Sequence, residues 1–193
     1  LVHTSFAAGV DWYRWRGPDL NGISKETGWS TTWPVDGPTR LWKASVGIGF
    51  SSISVAGGRA FTMGNANDKE TVFAFDAATG ATVWKHTYDC ELDPRYYDGG
   101  PSTTPTVDSG KVYTLSRKGH LFCFDAATGK IAWQKNVNDE LALTTFKENT
   151  PEWGYSGSPL IVGEKLVVNV GTAGAAFDKA SGKLLWSTGK LLS

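Results

Sequence analysis

Phe73-Ala74-Phe75-Asp76-Ala77-Ala78-Thr79-Gly80-Ala81-Thr82-Val83-Trp84 decides the fold, because the chain repeats it. It returns as Phe122-Cys123-Phe124-Asp125-Ala126-Ala127-Thr128-Gly129-Lys130-Ile131-Ala132-Trp133. A degraded copy follows as Ala175-Ala176-Phe177-Asp178-Lys179-Ala180-Ser181-Gly182-Lys183-Leu184-Leu185-Trp186. Trp84, Trp133 and Trp186 lie 49 and 53 residues apart, a period characteristic of repeat architectures.

Upstream of each copy stand two further segments in matching order: 53–56, 105–108 and 159–162, then 59–64, 111–116 and 165–170. They are rich in β-branched and aromatic residues and bounded by turn formers such as Ala56-Gly57-Gly58 and Asp108-Ser109-Gly110, as strands are. Each unit therefore reads as four strands. Leu41-Trp42-Lys43-Ala44 resembles the fourth strand of a further unit, which brings the expected total to thirteen.

Between the third and fourth strands, Asp76, Asp125 and Asp178 can accept hydrogen bonds from amides further along the turn. The hydroxyls of Thr79, Thr128 and Ser181 can do likewise, and Gly80, Gly129 and Gly182 supply a positive φ. A tight hairpin results. The tryptophan that follows offers a large apolar surface to a neighbouring sheet and an indole N–H in need of a partner. Cys123 aligns with Ala74 and Ala176, which marks it as a small core residue rather than a reactive thiol.

Four-stranded antiparallel units at this period specify an all-β chain, a β-propeller of about three blades plus one stray strand. The expected organisation is a signal-peptide remnant or loose terminus over 1–10, an extended leader over 11–40, and a partial propeller over 41–193. Its blades span about 51–86, 103–136 and 157–188. Ser5-Phe6-Ala7 before Ala8 has the small-x-small spacing of a signal-peptidase site.

Composition agrees. The chain has 193 residues, with 23 glycines and nine tryptophans against one methionine, which suits turn-dense strands better than helices. Nineteen basic and 19 acidic residues give zero net charge and no long run of one sign, so the electrostatic footprint of a nucleic-acid binder is missing. No apolar stretch approaches the ~18 residues that span a bilayer. Cys90 and Cys123 are 33 residues apart and outside any metal-binding spacing.

The Asp-x-x-Thr-Gly-x-x-x-Trp order at 76–84 and 125–133 resembles the tryptophan-docking repeats of pyrroloquinoline quinone (PQQ) propellers. Trp12-Tyr13-Arg14-Trp15-Arg16-Gly17-Pro18 and Asn21-Gly22-Ile23-Ser24 are similar to the leader of bacterial PQQ-like repeat proteins. The resemblance implies export to the periplasm or cell exterior. It also implies a ring of seven or eight blades, or roughly 350–400 residues, so further blades of the same chain are expected partners. The family holds quinone-dependent alcohol dehydrogenases and a non-enzymatic lipoprotein scaffold of outer-membrane assembly. Its dehydrogenases hold PQQ between a tryptophan floor and a vicinal disulfide lid, with calcium and an aspartate base. This chain has no adjacent cysteines.

Long connections, roughly 86–102 and 136–156, share one face of the propeller, where binding usually resides. Arg95, Tyr96 and Tyr97 in the first and Trp153 and Tyr155 in the second are the candidate binding surface, since arginine and exposed aromatics are typical anchors. The competing reading is that these rings pack their own loops. Asp89, Glu91 and Asp93 alternate as calcium ligands do, but Pro94 and Gly100 occupy the places of the required glycine and glutamate. Gly154-Tyr155-Ser156-Gly157-Ser158 misses a nucleophile elbow at its last residue, and His3, His86 and His120 form no ligand pair.

No catalytic or metal residue is therefore assigned. The leading expectation is a non-catalytic scaffold or binding protein for a protein or small ligand. The alternatives are a fragment of a PQQ-dependent oxidoreductase, which alone would need PQQ and calcium, and a carbohydrate-binding module suggested by the loop aromatics.

Overall fold

The computed structural model describes residues 10–95, 97–142, 153–170 and 173–188. Among the described residues, twelve strands form three four-stranded antiparallel sheets. Blade 1 comprises β1 (Ser54–Ala56), β2 (Arg59–Ala66), β3 (Lys69–Asp76) and β4 (Thr82–Asp89). Blade 2 comprises β5 (Thr106–Asp108), β6 (Lys111–Leu115), β7 (His120–Asp125) and β8 (Ile131–Asn136), and the short α1 (Val137–Glu140) follows it. Blade 3 comprises β9 (Leu160–Val162), β10 (Lys165–Val170), β11 (Ala173–Asp178) and β12 (Leu184–Ser187).

The repeated hairpins close as their chemistry dictates. Asp76 Oδ1 accepts from Thr79 N at 2.8 Å and from Thr79 Oγ1 at 2.7 Å. Asp125 receives Thr128 N and Oγ1 at 3.0 and 2.8 Å, and Asp178 receives Ser181 N and Oγ at 2.8 and 2.6 Å. Just beyond each turn the register slips between Ala74/Phe75, Cys123/Phe124 and Ala176/Phe177. A bulge of this kind re-aims the next side chain. It leaves Trp84, Trp133 and Trp186 opposite Ala74, Cys123 and Ala176, where only a small side chain fits beside an indole.

The indoles of Trp84 and Trp133 each dock on the hairpin of the following blade. Trp84 Nε1 donates to Ala126 O and Trp133 Nε1 to Lys179 O, both at 3.0 Å. Trp42 makes the same bond to Ala77 O, also at 3.0 Å. Residues 41–44 join no ladder among the described residues, and the segment is tied to blade 1 through the Trp42 ring, as a fourth-strand tryptophan is to the next blade.

The cores lie between blades. One contains Phe61, Met63, Val72 and Trp84 of blade 1 against Val112, Phe122 and Phe124 of blade 2. The other sets Tyr113, Leu121, Cys123 and Trp133 against Leu166, Val168 and Phe177 of blade 3. Trp186, with no hairpin to dock on among the described residues, stays 43% exposed.

The leader adds to the inner edge: Val55 N donates to Trp12 O at 2.9 Å and Val107 N to Tyr13 O at 2.8 Å. Residues 46–50 run beside β2, with an isolated bridge between Ile48 and Asn65. The small-x-small site at 5–7 and His3 lie outside the described residues.

Candidate binding site on the long-loop face

Loops from the outer strand of one blade to the inner strand of the next share a face with the β2–β3 and β6–β7 turns. Cys90 N donates to Asp68 O at 3.0 Å, and Leu92 N to Asp68 Oδ1 at 2.9 Å, which fastens the first long loop to the β2–β3 turn. The opposite face carries the Asp-x-x-Thr-Gly hairpins and the two-residue turns at 57–58 and 109–110.

Two of the expected residues meet here. Phe50, Tyr97, Ser102 and Trp153 line an apolar cleft of about 320 Å³. Tyr97 OH donates to Trp153 O at 3.1 Å across the two loops, and Phe50 meets the Tyr97 ring edge-on with centroids 5.3 Å apart. Phe50 and Trp153 remain 56% and 51% exposed. Exposed aromatic surface held rigid by neighbours is what an interface anchor requires. Phe50 was not a candidate from sequence; it arrives because Phe50 N donates to Pro101 O at 2.7 Å, a contact between distant segments.

The other expected residues behave differently. Tyr155 is 1% exposed, and its hydroxyl donates to Asn138 Oδ1 at 2.6 Å. It belongs to the core between blades 2 and 3, so the expectation of a surface role is corrected: a ring in that position packs its own loop. Arg95 is exposed and paired with Asp93 at 3.0 Å, outside the cleft lining. Tyr96 lies outside the described residues.

The acidic loop is neutralised residue by residue. Asp89 pairs with Lys69 at 2.5 Å, Glu91 with Lys118 at 2.7 Å, and Asp93 with both Arg95 and Arg117, at 3.0 and 3.2 Å. Burial opposes ionisation of Asp93, yet the Arg95 hydrogen bond and the Arg117 charge hold its carboxyl below the usual range. The three carboxylates thus face cations rather than a common centre. Among the described residues no three His, Cys, Asp or Glu side chains converge as a metal site would require.

Beneath the loops lies a buried polar cluster that sequence reading missed. Glu70 is buried and accepts from Tyr88 OH at 2.7 Å and from Cys90 Sγ at 3.3 Å. Burial raises its carboxyl above the ordinary value, while these two donors and the Arg117 charge favour the anion. Burial likewise pushes the Cys90 thiol far up, with the Glu70 charge adding to it, and Cys123 up to about 11. Both thiols are free and buried. His120 Nδ1 is 2.9 Å from Ser116 Oγ, and His86 packs against Phe122 and Phe124. Ser158 Oγ accepts from Thr104 N at 2.8 Å, tying blade 3 to the strand entering blade 2.

Radial four-stranded sheets linked by indoles docked on Asp-x-x-Thr/Ser-Gly hairpins define a PQQ-type β-propeller protein. Residues 68–191 match the family described as outer membrane protein assembly factor BamB, and the chain belongs to that PQQ-like family. No curated protein sequence matches it.

Solved structures share the fold. A europium-containing methanol dehydrogenase superposes with a TM-score of 0.60 at 23% identity, over 77% of this chain and 26% of that one. Quinohemoprotein alcohol dehydrogenase ADHIIG from Pseudomonas putida HK5 gives 0.56 at 26% identity, over 76% and 21%. The computationally designed Ika4 protein gives 0.51 at 14% identity, over 79% and 81%. The chain therefore spans about a quarter of the methanol dehydrogenase it resembles.

Proposed function

We propose that this chain is part of a non-catalytic, exported propeller scaffold whose long-loop face binds a partner protein. The observation that carries the reading is the cleft of Phe50, Tyr97 and Trp153, built across two inter-blade loops while the opposite face is closed by tight hairpins. An apolar side chain of the partner would sit between the rings, where exclusion of water makes such contacts strongest. The family's description as an outer-membrane assembly factor supports both a protein partner and export. No described helix is long and apolar enough to cross a membrane.

The second reading, a fragment of a PQQ-dependent oxidoreductase, is favoured by the resemblance to dehydrogenases. The described residues do not fit that cofactor. Cys90 and Cys123 cannot form a vicinal lid, and the carboxylates of the 89–93 loop are engaged by cations. A saccharide is favoured less, since its hydroxyls need several polar partners and Ser102 is the one polar side chain whose hydroxyl is free of an aromatic ring in the lining.

The test is to add PQQ and calcium to the full-length protein and follow alcohol-dependent dye reduction. The scaffold reading expects no turnover; sustained turnover would overturn it. Glycan-panel binding that is lost on Trp153→Ala would move the assignment to carbohydrate recognition.

A further inference from the structure

A tight polar turn normally carries its charges into solvent, yet Arg117, in the turn between β6 and β7, has a side-chain exposure of 0%. A guanidinium leaves water only for strong partners. Here Nη1 donates to Leu92 O at 2.7 Å and to Asp93 O at 2.9 Å. Nη2 lies 3.2 Å from Asp93 Oδ2, and the Tyr97 ring centroid is 5.9 Å from the guanidinium carbon. All of these partners belong to the first long loop.

The remainder of Arg117 serves the second loop. Its carbonyl accepts from Tyr155 N at 2.9 Å. Gly154 crosses so close that a Cβ there would lie 2.6 Å from Arg117 O and 3.2 Å from its Nε. Asp93 supplies the paired charge, and the Arg117 charge also favours the anion of the buried Glu70. One residue thus holds the Tyr97 wall of the cleft through its side chain and the Trp153 wall through its main chain.

We infer that Arg117 is the positioning residue that sets the separation of the two cleft walls. Its value to binding rests on the cleft being the site proposed above; its geometry does not. The test is site-resolved amide hydrogen exchange of the full-length protein. Two reporters are used: Gly100, whose N–H donates to Leu92 O at 3.0 Å, and Tyr155, whose N–H donates to Arg117 O.

Arg117→Met keeps most of the volume and removes the fork. Because the fork also fixes the residue whose carbonyl receives Tyr155 N–H, its loss should accelerate exchange at Gly100 roughly 10- to 100-fold, the factor corresponding to a lost charged hydrogen bond, and at Tyr155 by a smaller factor. Amides of β6 and β7 should keep their protection. Arg117→Lys, which retains charge but offers a single ammonium, should fall between.

Unchanged exchange in Arg117→Met would reduce the residue to packing volume, and acceleration at Gly100 alone would show that the loops are independent. Either result overturns the inference. If Arg117→Met does not fold, Arg117→Lys decides: faster exchange at both amides supports the role, and wild-type protection at both overturns it. Loss of the partner-binding reading would leave this exchange pattern untouched, so the two fail separately.

Discussion

Gly129→Ala isolates the tryptophan-docking joint between blades 1 and 2. Gly129 has φ +71°, and a Cβ there would lie 2.7 Å from Cδ2 of Trp84. Gly110, in the β5–β6 turn, has nearly the same backbone at φ +74° and no atom within 4 Å of an added Cβ. Both alanine variants bear the left-handed backbone penalty of about 1–2 kcal/mol. Only Gly129→Ala must also displace a buried indole, an overpacking cost of about 1–3 kcal/mol. The expected destabilisation is therefore about 1–2 kcal/mol for Gly110→Ala and about 2–5 kcal/mol for Gly129→Ala. Urea denaturation followed by tryptophan fluorescence reads the difference. Equal midpoints for the two variants would refute the docking account, because the backbone penalty would then be the whole effect.

Trp133→Ala removes a buried indole and its bond to Lys179 O, and should cost about 3–5 kcal/mol. Half-buried Tyr97→Ala should shift the thermal midpoint far less, so matching midpoints would count against the hierarchy. Hydrogen bonds from the Thr or Ser hydroxyl, then from the backbone amide, hold Asp76, Asp125 and Asp178 below the ordinary carboxylate value. A depressed folded pKa stabilises above the unfolded value of about 3.9 and is lost as pH falls through the folded one. Stability should thus decline from about pH 5 towards pH 2, and Asp125→Asn should flatten that decline in a pH series of melting curves. Because burial holds the Cys90 and Cys123 thiols protonated, the native protein at pH 8 should resist iodoacetamide until denaturant is added, as mass spectrometry would report.

The blades were legible because each hairpin carries its own chemistry: Asp125, Thr128 and Gly129 close a turn without help from the rest of the chain. The docking tryptophans were legible for the same reason, through repetition. Trp42 follows the same logic, since its local sequence copies a fourth strand and its indole docks on the blade 1 hairpin, whereas pairing depends on neighbours that a segment cannot supply itself. The site was only half legible. Tyr97 and Tyr155 are the same residue type in comparable loops, and the long-range partner Asn138 decides that one is buried and the other lines a cleft. Phe50, Glu70 and Arg117 had no local signal, since contacts across 18 to 51 residues of chain bring them into the site.

Photo-crosslinking of the full-length protein in its native cells tests the central claim most directly. A benzophenone side chain is placed at Ser102, in the cleft lining, or at Ser109, in a turn of the opposite face. The account predicts a discrete adduct with one protein from position 102, lost when Trp153→Ala is added, and none from position 109. Equal adducts from both positions, or an adduct at 102 that survives Trp153→Ala, would contradict it.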